Sequence, residues 1–195
     1  KARVEDIKNA IARTSNLISQ LLALKRAQAQ NEEHRSEDGA ECLKVISTVI
    51  ADLYWVAEQK QIVLNVEGLE APDASELKAA VSEADLSAVV RNLVHNAVNY
   101  TQQNGLVTVR VESGDDKVRI SVADTGPGIA PAERERVFDP FYRILGNDAP
   151  GTGLGLAICR AIVDKAAGSI KLDWAEPSKQ KGLLVVVELA RSRTV

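Results

Sequence analysis

The feature that most constrains the fold is a pair of β-branched runs joined by a short polar turn. The runs are Leu106–Glu112 and Lys117–Ala123, and the turn between them is Ser113–Asp116. This pattern is typical of a β-hairpin. The preceding residues, Asp85–Tyr100, carry an unbroken apolar stripe at helical spacing. The two patterns together predict a sheet with helices packed against it.

Other segments extend the same scheme. Helical patterns cover Val45–Gln59 and Leu154–Ala167, and we expect the second to end at Gly168, a glycine C′ residue. Three more strands are predicted, at Ile62–Val66, Ser169–Trp174 and Leu183–Leu189. Hairpins separated by helices indicate an α+β fold, a two-layer sandwich whose mixed, mostly antiparallel sheet has helices on one face.

The chain begins with a predicted amphipathic helix over residues 4–27, whose apolar seam is suited to a partner helix. The alternative is a helix that packs on its own domain. The polar stretch Gln28–Glu41 favours a linker that separates the helix from the rest. The chain contains no methionine, so we expect a fragment of a longer protein.

Composition excludes several classes of function. The net charge of −3 argues against a nucleic-acid partner, and no apolar run approaches the roughly 20 residues that span a bilayer. The two cysteines, Cys42 and Cys159, lie far apart and form neither a metal site nor a redox pair. We expect a globular protein of a reducing compartment.

Asn92 and Asn96 lie four residues apart, on one face of the predicted helix. Asparagine offers a hard, neutral carbonyl oxygen, which suits Mg²⁺ bound together with phosphate oxygens. The alternative is a pair of solvated polar side chains. Asparagine is a poor helix former, however, and Asn99 makes three asparagines within eight residues. This local enrichment favours a functional role.

Asp124, Gly126 and Gly128 follow directly on a predicted strand. The carboxylate of Asp124 is suited to accept a hydrogen bond from the exocyclic amine of adenine, and the glycines let the backbone approach a base. The alternative is an ordinary turn that binds nothing.

The glycine-rich run Gly151–Leu156 precedes a predicted helix, where backbone amides are suited to hold phosphates. A Rossmann loop is excluded because Leu156 occupies its third small position and no strand precedes the run. A Walker A loop is excluded because no Gly-Lys-Ser/Thr follows. Just upstream, Phe138–Arg143 combines three aromatic residues, interpreted as a local anchor, with Arg143, which is suited to contact a γ-phosphate. The alternatives are core aromatics and a surface cation.

In this order, the segments resemble the N, G1, F and G2 boxes of sensor histidine kinases, whose ATP domain has the Bergerat fold of the GHKL ATPases. The resemblance covers about residues 43–189. It implies ATP and Mg²⁺ as cofactors, with Asn96 as the metal ligand and with Asn96 and Arg143 as catalytic residues. It also implies a nucleotide-binding set of Asn92, Asn96, Asn99, Tyr100, Asp124, Gly126, Gly128, Ile129, Arg143, Gly151, Thr152, Gly153, Leu154 and Gly155, under a lid over 144–150.

The resemblance also implies an organisation. Residues 1–30 would be the second helix of a dimerisation hairpin, 31–41 a linker and 42–195 the catalytic domain. The partners would be a phosphoacceptor helix of the same or the partner subunit and the receiver domain of a response regulator. The parent would be a homodimer anchored in the plasma membrane, with this domain in the cytoplasm.

Two features depart from the family pattern, the residue at position 99 and the missing acceptor motif. Asn99 stands where the family usually has a basic residue, so phosphate affinity is expected to be weaker or supplied from elsewhere. Neither His34 nor His95 has the acceptor motif, so the phosphorylated histidine is expected outside this chain.

Asn92 stands where hydrolysing relatives carry a glutamate, which favours phosphoryl transfer over ATP hydrolysis. The alternatives are a gyrase-type or mismatch-repair ATPase, an anti-sigma-factor serine kinase and a module that binds ATP without using it.

Overall fold

The structure is a computed structural model, and it describes residues 17–18, 20–28, 39–68, 77–144 and 151–192. Beyond a leading helical segment at 20–28, these residues form the helices α1 (Cys42–Gln59), α2 (Glu83–Tyr100) and α3 (Gly155–Lys165). The strands are β1 (Ala40–Glu41), β2 (Val63–Glu67), β3 (Lys78–Ala79), β4 (Leu106–Ser113), β5 (Lys117–Asp124), β6 (Ser169–Glu176) and β7 (Lys181–Ala190).

The main sheet has five strands in the order β2, β4, β5, β7, β6. Only the β2–β4 pair is parallel, while β1 and β3 form a separate antiparallel pair. Because side chains alternate along a strand, the register aligns apolar residues in rows on one face. One row is Val109, Val122, Val185 and Leu172, and the next is Val111, Ile120, Val187 and Ile170.

The three helices cover that face and bury their apolar stripes against it. In α2 the stripe is buried over its whole length, and the Ser82 side chain caps the helix by accepting a hydrogen bond from the Asp85 amide. This cap places the helix start two residues before the predicted one. The arrangement confirms the predicted two-layer α+β sandwich. Within the described residues, no helix is both long and apolar enough to cross a bilayer.

The leading helical segment packs on the domain, and is not separated from it as the polar linker suggested. Leu24 and Ala27 are buried in the main core, whereas Ile18 and Leu22 on its other side are about half exposed. The apolar seam is therefore divided between the domain's own core and the surface. Most of the predicted linker and residues 4–16 of the predicted helix lie outside the described residues.

The end of α3 corrects one expectation. The left-handed residue is Ala167, with a φ of +52°, and not Gly168. The Ala167 amide donates to Asp164 O and the Gly168 amide to Val163 O, which is the hydrogen-bond pattern of a Schellman motif. Gly168 is required for space instead, because a Cβ there would lie 2.5 Å from the carbonyl oxygen of Glu188.

We predict that Ala167→Gly stabilises the domain, because an L-residue with a side chain is strained in the left-handed region. The free energy of unfolding should rise by about 0.5–1 kcal/mol, the strain released less the added chain entropy. Urea unfolding followed by circular dichroism measures the change.

The matched control is Ala166→Gly, since Ala166 has an ordinary φ of −81° and has no strain to release. This variant should lose stability or leave it unchanged. Equal gains from both variants would contradict the strain at Ala167.

Candidate functional site

A cavity of about 580 Å³ lies between α2, the end of β5 and the start of α3. Its wall contains residues from all four motif segments, which are spread over more than sixty positions of the chain. Of the predicted nucleotide-binding set, only Gly126 and Leu154 do not line it. Leu154 is fully buried in the core and Gly126 lies behind Asp124, so both support the wall from outside.

Asp124 is the buried anion of the cavity, with only 5% of its surface exposed. Its Oδ1 accepts hydrogen bonds from the amides of Gly126, at 2.8 Å, and Leu183, at 3.2 Å. Burial raises the pKa of this carboxyl, and the two amides oppose the rise. With Oδ1 held from behind, Oδ2 is the oxygen positioned to meet a hydrogen-bond donor in the cavity.

Gly128 follows Asp124 in the loop after β5 and has a conformation that only glycine adopts easily, with a φ of +74°. A Cβ on it would lie 2.4 Å from the ring of Trp174. The same ring contacts the guanidinium of Arg134, which also binds the Asp173 carboxylate at 3.0 Å and Ile129 O at 3.3 Å. These contacts hold the loop after β5 against β6 on this side of the cavity.

The asparagine pair lies at the other side of the cavity, on α2. Asn92 Nδ2 donates to Ala88 O at 2.8 Å, and since a carbonyl only accepts, this bond turns Asn92 Oδ1 outward. A Cβ on Gly155 would lie 3.2 Å from Asn92 Oδ1 and 3.4 Å from the Asn96 amide nitrogen. The missing side chain of Gly155 therefore leaves a small polar space between α2 and the start of α3.

Asn99 joins two more groups to this face of α2. Its Oδ1 accepts from Lys60 Nζ at 3.3 Å, and its Nδ2 lies 3.1 Å from His95 Nδ1. Burial, together with the charges of Lys60 and Arg91, lowers the pKa of His95. A neutral ring can accept from the Asn99 amide, which fits the short contact between them.

The aromatic anchor is only partly as predicted. Phe138 is buried under the guanidinium of Arg160, and Tyr142 hydrogen-bonds the Glu133 carboxylate. Phe141 differs, because it is 58% exposed and has a φ of +66°. Its amide donates to Gly153 O at 3.0 Å, so the exposed ring is held beside the glycine-rich run.

Arg143 and Ile144 line the cavity where the predicted lid begins, while residues 145–150 of that lid lie outside the described residues. Beyond them, Thr152 donates a 2.5 Å hydrogen bond to Gln20 on the leading helical segment. Leu17 and Gln20 also line the cavity. The leading segment therefore forms part of the wall.

Sequence reasoning missed several wall or support residues. Leu183 and Gly182 on β7 hold the loop after β5, through bonds to Asp124 Oδ1 and Gly126 O. Gln20 and Lys60 reach the site from elements far away in sequence. None of these residues has a distinctive local pattern. Only the departure at Asn99 pointed to a charge from elsewhere.

Comparisons with known proteins agree with this geometry. Residues 81–193 match the family of histidine kinase-, DNA gyrase B- and HSP90-like ATPases. The chain is 33% identical over 180 residues to the sensor histidine kinase RppB of Synechocystis sp., covering 91% of this chain and 38% of RppB. The chain thus spans less than two fifths of this curated relative.

Two solved structures have the same fold. The mycobacterial sensor histidine kinase MprB superposes with a TM-score of 0.65 at 27% identity, covering 78% of this chain and 95% of that one. The histidine kinase ThkA, in complex with the response regulator protein TrrA, gives a TM-score of 0.71 at 24% identity, covering 98% and 51%. The chain therefore belongs to the family of histidine kinase-, DNA gyrase B- and HSP90-like ATPases, and carries an ATP-binding catalytic domain of the sensor histidine kinase type.

Proposed function

We propose that this domain binds MgATP and transfers the γ-phosphoryl group to a histidine on a dimerisation helix, from which a response-regulator aspartate receives it. Adenine would lie at Asp124 and the phosphate tail between α2 and the glycine-rich run. The cavity is of the size that small-molecule ligands occupy.

The observation that favours phosphoryl transfer over ATP hydrolysis is that Asn92 offers no base. An amide has no basic lone pair at neutral pH, and its Nδ2 is already bonded to Ala88 O. The residue therefore cannot activate water. A hydrolysing ATPase of this family, the second candidate, needs a base near this position. We expect the acceptor histidine to supply the nucleophile instead.

Mg²⁺ fits the amide oxygens of this site. The ion prefers a few hard oxygen ligands and keeps waters and phosphate oxygens as the others, so one or two asparagine carbonyls suffice. Asn96 would be its protein ligand, with Asn92 Oδ1 beside it across from Gly155. When bound, the ion would neutralise phosphate charge. Among the described residues there is no cluster of three or more His, Cys, Asp or Glu that offers a rival metal site.

The remaining roles follow from position. Arg143 would contact the terminal phosphate and stabilise the charge that develops on transfer. The amides of the glycine-rich run, Gly151–Gly155, would hold the phosphates at the start of α3. Asn99, Tyr100 and Ile129 would line the nucleotide's flank. Catalysis would then consist mainly of positioning and charge stabilisation.

The partners are part of this proposal. ThkA, a protein of the same fold, has been solved with a response regulator, which supports such a partner for the present chain. A homodimeric parent, the acceptor helix of the same or the partner subunit and a membrane anchor are proposed from the family alone.

The proposal predicts phosphotransfer with little hydrolysis. The chain, mixed with MgATP labelled at the γ-phosphate and a separately produced acceptor hairpin, should give an acid-labile, base-stable phosphohistidine. Phosphate release without the hairpin should stay near background. Rapid release in its absence would favour the hydrolysing ATPase, whereas binding with neither product would favour a module that does not use ATP.

We predict that Asp124→Asn weakens ATP binding about 10- to 100-fold, the equivalent of one charge-assisted hydrogen bond. The wild-type chain should prefer ATP to GTP, and the variant should lose that preference. Asparagine can still accept from both amides that hold Asp124, so the fold is kept. Calorimetric titration of both nucleotides measures the effect.

Asp115→Asn is the control for charge, because Asp115 is exposed in the turn before β5, at the far end of that strand. It should bind like the wild type. An equal loss in both variants would contradict adenine recognition by Asp124.

We also predict that Gly155→Ala weakens binding of MgATP roughly tenfold without destabilising the domain. The new methyl group would press on the asparagine pair, 3.2 Å from Asn92 Oδ1, while alanine favours the start of α3. The affinity for ATP should be measured with and without Mg²⁺. The gain in affinity that Mg²⁺ gives should be smaller in Gly155→Ala than in the wild type.

Gly114→Ala is the steric control, because Gly114 is exposed in the turn between β4 and β5 and a Cβ there would lie no closer than 3.4 Å to another atom, Lys117 O. It should bind MgATP like the wild type, with the same Mg²⁺ dependence. The proposed metal position would be wrong if Gly155→Ala bound MgATP as tightly as Gly114→Ala.

A further inference from the structure

The cavity has few positive charges for a ligand with a polyphosphate tail. Among the described residues that line it, Arg143 is the only arginine or lysine, and Asp124 adds a negative charge. A nucleoside triphosphate carries several negative charges, which favours additional cations close to its tail. The described part of the chain has such a cation just behind the wall.

That cation is Lys60, the C-cap residue that follows the last residue of α1. Its ammonium lies 3.3 Å from Asn99 Oδ1 and donates to Val98 O at 3.1 Å. Lys60 is partly buried, so its charge is less screened by water than that of an exposed lysine. Burial lowers the pKa of Lys60. None of the ion pairs formed among the described residues includes this lysine, so no carboxylate of the described part of the chain pairs with its charge.

Asn99 connects this charge to the cavity. Because its Oδ1 accepts from Lys60, its Nδ2 is turned towards His95, and both Asn99 and His95 line the wall. Lys60 thus fixes the amide of Asn99 and places a positive charge one side chain behind the cavity surface.

We propose that Lys60 is a positioning residue for the polyphosphate tail, acting through Asn99, and that it supplies the positive charge that position 99 itself lacks. This inference rests on the proposed function, since it concerns the same nucleotide. Its contribution is electrostatic, so it should grow with the number of phosphates and decrease with ionic strength.

A structural role must be separated from this one. Lys60 also contacts the last carbonyls of α2, where a cation stabilises the negative end of a helix. Lys44 provides a matched control, because it joins the same two helices at their other end, through Glu83 at 3.5 Å. Lys44 is not among the residues that line the cavity.

The test compares Lys60→Gln, Lys44→Gln, the double variant Lys60→Gln/Asn99→Lys and the wild type. Dissociation constants for ATP, ADP and adenosine are measured by NMR titration of the labelled chain at two ionic strengths, with thermal unfolding recorded for each variant. Lys60→Gln should weaken ATP binding roughly three- to tenfold, ADP binding less and adenosine binding not at all. The loss should be smaller at high salt, and Asn99→Lys should restore ATP affinity.

Other outcomes would overturn the inference. If Lys60→Gln weakened ATP and adenosine binding equally, the role of Lys60 would be structural. The same would hold if Lys44→Gln lost as much ATP affinity as Lys60→Gln. Failure of Asn99→Lys to restore affinity would mean that the charge does not act through position 99. If the wild-type chain did not bind ATP, the proposed function itself would be wrong and this inference with it.

Discussion

The site depends on one buried carboxylate and the amides that hold it. Asp124 ends β5, and its Oδ1 accepts from Gly126 in the following loop and from Leu183 on β7. These bonds join the loop to the sheet, and they compensate part of the cost of burying a charge. A charge retained at that cost is typical of a functional site. The proposed position of adenine is therefore set by the end of β5, the central strand of the sheet.

Local patterns made much of the fold predictable. The helix stripes and the β4–β5 hairpin were readable because each repeats a single period over many residues. The parallel pairing of β2 with β4 was not specified by the sequence of either strand, since it depends on how α2 crosses between them. At the end of α3, the glycine was assigned to the wrong position of the motif, because alanine rarely adopts a positive φ.

The sequence motifs predicted which residues would meet at one cavity, because each proposed chemical task limits the residue types. The residues that hold these motif residues in place were not predictable. The Leu183 amide donates to Asp124 across 59 positions of the chain, and the Lys60 ammonium donates to Asn99 across 39. The side-chain oxygen of Gln20 accepts from Thr152 across 132 positions. Such contacts involve ordinary residue types and arise only when distant elements pack together. The departure at Asn99 could be detected from the sequence, but the lysine beside it could not be chosen among the chain's many cations.

Helix α2 combines a core face and a face that lines the cavity. Its buried stripe and its asparagines are fixed relative to each other by the turn of the helix, about 100° per residue. A substitution on either face alters one contact. Inserting a single residue between Leu86 and Asn92 would instead rotate one face against the other, and the asparagines would point away from the cavity or the stripe away from the sheet. The length of this segment is therefore constrained more tightly than its composition.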